Sequence, residues 1–133
     1  MLTGIIALDD RNGYSLFGKR LSKDKKMLED MTGLLEVGQC LYVSKYSLGI
    51  FSEDLRRHLI CSLPDTVSDD GMIFFEASDF SSFGLDRLIV YRWNRHYPSD
   101  VKYNPYLHGW KKISSYDFRG YSHEKISREV YER

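Results

Sequence analysis

Neither sign of charge is in surplus in this sequence: 19 basic residues stand against 19 acidic ones, a formal net charge of +0. That balance argues against nucleic acid or an acidic membrane as a partner, since a polyanion binder carries a basic excess. Cysteine is scarce, with only Cys40 and Cys61. There is no Cys-x-x-Cys pair and no His/Cys spacing suited to zinc, so no metal is expected. Each cysteine lies in an apolar run, and the expectation is two reduced core thiols rather than a disulfide. Long apolar runs are missing as well. Residues 1–8 are apolar but too few for a signal peptide or a membrane span, and Asp9-Asp10 end the run, so a cytoplasmic protein is the default. Repeats, low-complexity tracts and linkers are also absent, which leaves one domain over residues 1–133.

What is present suits a packed globule, with 42% hydrophobic and 14% aromatic residues. Residues 2–8, closed by Asp9-Asp10-Arg11-Asn12-Gly13, read as a buried strand followed by a turn. From Ser22 the period changes. Met27, Leu28 and Met31 fall three and four apart, Glu29 and Asp30 face outward, and Thr32-Gly33 ends the pattern. This predicts one short amphipathic helix capped by Ser22. Strands are expected at residues 40–43, 58–61, 72–75 and 88–91, the last being the most apolar and so placed centrally. Residues 110–115 and 126–131 alternate polar and apolar side chains, as strands with one solvated face do, and residues 118–121 form a turn between them. The pattern predicts an α/β fold with few helices. Its mixed central sheet is parallel in the core and ends in an antiparallel C-terminal hairpin.

Three stretches, in order along the chain, resemble the dihydrofolate reductase family. Ile5-x-Ala7 followed by Asp10-Arg11-Asn12-Gly13 is similar to the family's opening strand and turn. Leu21-x-x-Asp24-x-x-x-Leu28-x-x-x-Thr32 resembles its Leu-Pro-x-Asp-x-x-x-Phe-x-x-x-Thr helix. The ending Arg128-Glu129-Val130-Tyr131-Glu132-Arg133 resembles Phe-Glu-x-Tyr-Glu-Arg, and Leu85-Asp86-Arg87-Leu88 and Trp110 sit where the family has comparable residues. The resemblance implies a dihydrofolate-reductase-like sheet. It also implies that Asp24 is the carboxylate of the pterin pocket, pairing with the ring's amidine-like edge, and the catalytic group if the protein is active. Burial there raises a carboxyl pKa. Ala7 would line the pterin floor and Leu28 would supply an apolar wall in place of the usual aromatic. Arg56 would grip the carboxylate of the folate tail with a guanidinium fork, or Arg57 if the register slips by one. Read without the resemblance, Asp24 is a favourable first-turn acid, and Arg56 is a solvated base at a strand entrance.

The departures bear on activity. Where the family has Gly-Arg-x-Thr for phosphates, this chain reads Val43-Ser44-Lys45-Tyr46. No Gly-Gly pair occurs, and the matching stretch is Glu76-Ala77-Ser78; a strand and a helix are expected to be cut away nearby. The Pro-Trp pair of the closing loop is missing, and Tyr91 stands where a threonine is usual. Hydride transfer needs its cofactor held in near-attack geometry. No cofactor-binding residue and no NADPH are therefore expected. The leading expectation is a non-catalytic pseudoenzyme that binds a protein partner or folate; the alternative is a reduced but active enzyme moving hydride from NADPH to dihydrofolate. Interface candidates are Arg92, Trp93, Arg95 and Tyr97, in a stretch also holding Tyr91, Tyr103, Tyr106 and Trp110. Otherwise these aromatics simply fill a sheet short of helices. Exposed sheet edges favour a homodimer. Trimming of this kind suits a compact viral genome, so a phage origin is expected.

Overall fold

β1 (Thr3–Leu8) is apolar beyond its first residue and lies in the middle of the sheet, paired on both sides. In the computed structural model, which describes residues 1–133, it runs parallel to β6 (Met72–Phe74) and to β7 (Arg87–Arg92). β4 (Leu41–Val43) and β5 (Ile60–Ser62) extend the parallel side. β10 (Ile126–Glu132) and β9 (Lys111–Phe118) complete the other side as an antiparallel pair. The order is β5-β4-β6-β1-β7-β10-β9, the mixed α/β sheet expected. β7 is interior, as its apolar run requires, but the middle place belongs to β1.

Alternation divides the core in two. Ile5, Phe74, Ile89 and Tyr91 face α1 (Lys25–Thr32), whose Met27, Leu28 and Met31 are buried against them. Ile6, Ile73, Leu88, Val90 and Tyr131 face the other way. No α-helix covers that second face; a single 3-10 turn, Pro105–His108, touches it through Tyr106 on Tyr131. Residues 75–85 cross it as an irregular segment and fill it with Phe75, Phe80 and Phe83, whose rings meet at 5.4 and 5.1 Å. Aromatic volume there replaces a helix.

Several expectations change. Asp24, not Ser22, caps α1, because its side chain accepts from the Lys26 and Met27 amides. Asp30 turns partly inward and accepts from the Tyr91 hydroxyl and from Arg128. His58 ends α3 (Glu53–His58) instead of starting a strand. α2 (Lys45–Leu48), α3 and a small second sheet were not anticipated. That sheet joins β3 (Lys19–Arg20), β2 (Gly13–Leu16) and β8 (Val101–Lys102). β9 has no solvated/buried alternation; all but its last residue are exposed. The two cysteines are not separate thiols: Cys40 and Cys61 form a disulfide across the parallel pair β4–β5. Tyr91, Trp93 and Trp110 are buried at 2% exposure or less, so these aromatics build core rather than surface. No helix is long and apolar enough to cross a membrane.

Candidate functional site

In a parallel α/β sheet the carboxyl ends of the strands open onto loops, and functional groups collect there. Three buried carboxylates lie at that end of this sheet: Asp9 follows β1, Asp24 precedes α1, and Glu76 follows β6.

Asp24 is buried, with its side chain at 0% exposure, and every acceptor direction is used. Oδ1 accepts from the amides of Lys26 (2.8 Å), Met27 (3.3 Å) and Tyr121 (2.9 Å). Oδ2 accepts from the Ser122 amide (2.8 Å), the Ser122 hydroxyl (3.1 Å) and His123 Nδ1 (2.9 Å). Burial pushes the carboxyl upward. The bonds from Tyr121, His123, Ser122 and Met27 more than reverse that and hold it well below the usual carboxylate range. The acid is therefore ionised at neutral pH, contrary to the raised value that burial alone suggested.

Two of these donors belong to the first turn of α1, and the other four come from the turn between β9 and β10. An ionised carboxylate only accepts, so His123 Nδ1 carries the proton toward Asp24. Its Nε2 lies 2.7 Å from the Tyr97 hydroxyl and 3.5 Å from Ser22 Oγ. The imidazole stacks on the Trp93 indole at 4.7 Å with an interplanar angle of 23°. Gly120 allows the turn to come this close: a Cβ there would lie 2.7 Å from the His123 carbonyl oxygen and 2.8 Å from Asp24 Oδ2. The chain thus presents to Asp24 its own flat, stacked ring with an N–H edge.

Glu76 is held differently. Its Oε2 accepts from Arg20 Nε at 2.9 Å, while Oε1 is buried with no partner. Arg20 also stacks 4.2 Å over the Tyr46 ring and donates to the Tyr46 carbonyl oxygen, so the β3 arginine straps the mouth to α2. Tyr14 donates to the Ser78 carbonyl oxygen at 2.9 Å, and burial pushes its phenol up. The space left among Ala7, Tyr14, Phe75, Glu76 and Trp93 is about 10 Å³. A far larger, open cavity of about 560 Å³ lies at the opposite, amino ends of the strands, lined by Thr3, Cys40, Met72 and Arg87.

The sequence-predicted residues are only partly assembled. Ala7 and Leu28 pack in the same core as Trp93, and Asp24 caps the adjoining helix turn. Arg56 is exposed on α3, with no side-chain bond to Asp24 or its neighbours, and Arg57 pairs with Glu53 on the same helix. Of the interface candidates, Trp93 is buried, Arg92 is tied to Glu129 and Asn12, and Tyr97 is bonded to His123. Arg95 is exposed. Asp9, Asp10 and His96 bring ligand-type atoms within 4.8 Å of one another. Asp9 already accepts from the Arg11, Gly13 and Tyr97 amides, which makes it an organiser of the turn after β1. His123 was not singled out from the sequence. Its only signal was its place in the last turn, and nothing local ties it to a residue 99 positions earlier.

A mixed sheet with an acid-capped first helix beyond the carboxyl end of its middle strand defines a dihydrofolate-reductase-like fold. The comparison with solved structures agrees. Dihydrofolate reductase from Enterococcus faecalis, complexed with NADP(H) and RAB-propyl, superposes with a TM-score of 0.63 and 14% identity. The match covers 100% of this chain and 96% of that one; at this identity the likeness shows the fold alone. No family profile matches the sequence, and no curated protein does.

Proposed function

We propose that this chain is a dihydrofolate-reductase-fold protein that works by binding a macromolecule and does not transfer hydride. One observation carries the reading: Asp24, the acid that would recognise a pterin, is saturated by residues 121–123 of its own chain. A pterin would have to displace a stacked histidine and two backbone amides, leaving those donors unpaired in the interior. The cofactor side supports the same conclusion. Glu76 puts a buried carboxylate, and Arg20 a strap, where the family has a flat glycine platform, and a dinucleotide diphosphate does not fit an anionic, filled mouth. A protein partner is favoured by the exposed apolar side chains of the second sheet and its surroundings. Phe17 is 80% exposed at a positive φ of 50° on the β2–β3 turn, and Leu107 is 81% exposed. Phe17 and Gly18 are the two central residues of the β2–β3 hairpin, whose tight turn sets both at positive φ and holds the aromatic ring out in solvent.

The test is direct. With NADPH and dihydrofolate at millimolar concentration, NADPH absorbance is expected to fall no faster than in a protein-free blank. A protein-dependent decay abolished by Asp24→Asn would overturn the reading. Replacing Phe17 with serine should leave the fold intact and release any protein that the wild type retains.

A further inference from the structure

The large sheet has two open edges, and they are unequal. β5 closes one side with three residues, whereas β9 closes the other with eight, Lys111–Phe118. A short edge strand offers little to pair with; a long one presents a row of unmet N–H and C=O groups. β9 pairs only with β10, and no backbone bond from a loop or turn reaches residues 111–118 from the other side. All its side chains but Phe118 are exposed, with Ile113 at 56% and Tyr116 at 54%.

The register with β10 makes this edge self-complementary. β9 carries a bulge at Ile113: Ser114 lies opposite Val130, and Lys112, two residues earlier, lies opposite Tyr131, the very next residue of β10. Lys112, Ser115 and Asp117 therefore stand opposite Tyr131, Glu129 and Ser127, alternate residues of one strand, and share one face of the sheet. Without the bulge, Lys112 and Asp117 would point to opposite faces. Counted on β10, they also lie equally far on either side of Ser115. A two-fold axis through Ser115, perpendicular to the sheet, reverses the strand and keeps every side chain on its own face. Lys112 of each copy then falls opposite Asp117 of the other, and Tyr116 falls beside the other copy's Ile113–Ser114 bulge. Both charges have capacity left. Within the chain Asp117 uses only Oδ1, accepting from Ser127, and Lys112 makes one 3.4 Å contact, to Glu129. Edge lysines and a bulge deter a foreign strand. A second copy brings the matching bulge and the matching acid.

We propose that β9 is the interface of a two-fold homodimer, in which two copies of the sheet join edge to edge through antiparallel β9–β9 pairing centred on Ser115. Two Lys112–Asp117 ion pairs flank the axis. A strand pair alone is small for an interface, so monomer and dimer exchange reversibly.

Sedimentation equilibrium over a range of protein concentrations tests it. The weight-average mass is expected to rise from 15.6 kDa toward twice that value. Lys112→Asp and Asp117→Lys should each weaken association about tenfold or more, and the double variant should return to within about threefold of wild type, because the swap restores both pairs. Ser115→Cys sets like against like at the axis, where the Cα atoms of an antiparallel pair lie about 4.5–5.5 Å apart. That spacing suits a disulfide, so mild oxidation should cross-link Ser115→Cys between chains faster than the exposed control Ser82→Cys. A mass that stays at 15.6 kDa at every concentration would overturn the proposal and leave the edge to another strand. So would charge reversals that leave the dimer unchanged, or a Ser115→Cys that cross-links no faster than the control. If a reversal does not fold, the wild-type mass and the cysteine cross-link decide. None of these outcomes alters the dihydrofolate result, so the two readings fail separately.

Discussion

Two acids sit at the same end of one sheet and have met opposite fates. Asp24 has six donors around its two oxygens, four of them from a turn nearly a hundred residues away. Glu76 has one, and its second oxygen is buried without any. The first is a finished structural joint and the second is an unfinished one. In a low-dielectric interior that difference separates a group whose burial is fully compensated from one whose burial is only half compensated.

The sharpest way to break the comparison is to remove the joint. Asp24→Ala takes the acceptor from His123, the Ser122 hydroxyl and four backbone amides at once and is expected to cost about 3–5 kcal/mol, read from urea denaturation. A loss below about 1 kcal/mol would mean that the turn is not held by this acid. The same joint has a pH signature. The folded carboxyl of Asp24 lies below its ordinary value, so its contribution is present above about pH 4 and fades as pH falls through the folded value. Acid titration of the unfolding midpoint should show this decline, and Asp24→Asn should flatten it.

Next in size is the turn itself. Gly120→Ala forces a Cβ against the His123 carbonyl and the Asp24 carboxylate and is expected to cost about 2 kcal/mol. Gly84→Ala, where nothing lies near the added atom, should change stability by less than about 0.5 kcal/mol and serves as the control. The smallest effect belongs to the other acid. Glu76→Gln keeps the shape and an oxygen to accept from Arg20, and it removes a buried charge that is only half met, so thermal unfolding should register a change of about 1 kcal/mol or less. A loss as large as that of Asp24→Ala would erase the distinction between the two acids.

How much of this was legible in the sequence depends on how local each feature is. β1, α1 and β10 announce themselves through apolar run and period, and the mixed sheet is built around them. β3 and β8 have two residues each and no pattern to read. Asp24 was visible as the chemically pointed residue, but its partners come from residues 121–123, and no spacing rule reaches that far. The pairing of Cys40 with Cys61 depends on β4 and β5 lying side by side, with Tyr42 opposite Cys61, a register the composition does not encode. The aromatic-rich stretch after β7 invited a surface reading. Trp93 instead turns inward, packs in the core beneath α1 with Met27 and Leu28, and stacks on His123.

One measurement bears most directly on the central claim, that the chain's own turn occupies the acid a pterin would need. It is calorimetric titration of the protein with dihydrofolate, repeated with methotrexate and then NADPH. No heat of binding is expected for any of the three at concentrations up to the millimolar range. Micromolar affinity for dihydrofolate or methotrexate that disappears in Asp24→Asn would contradict it.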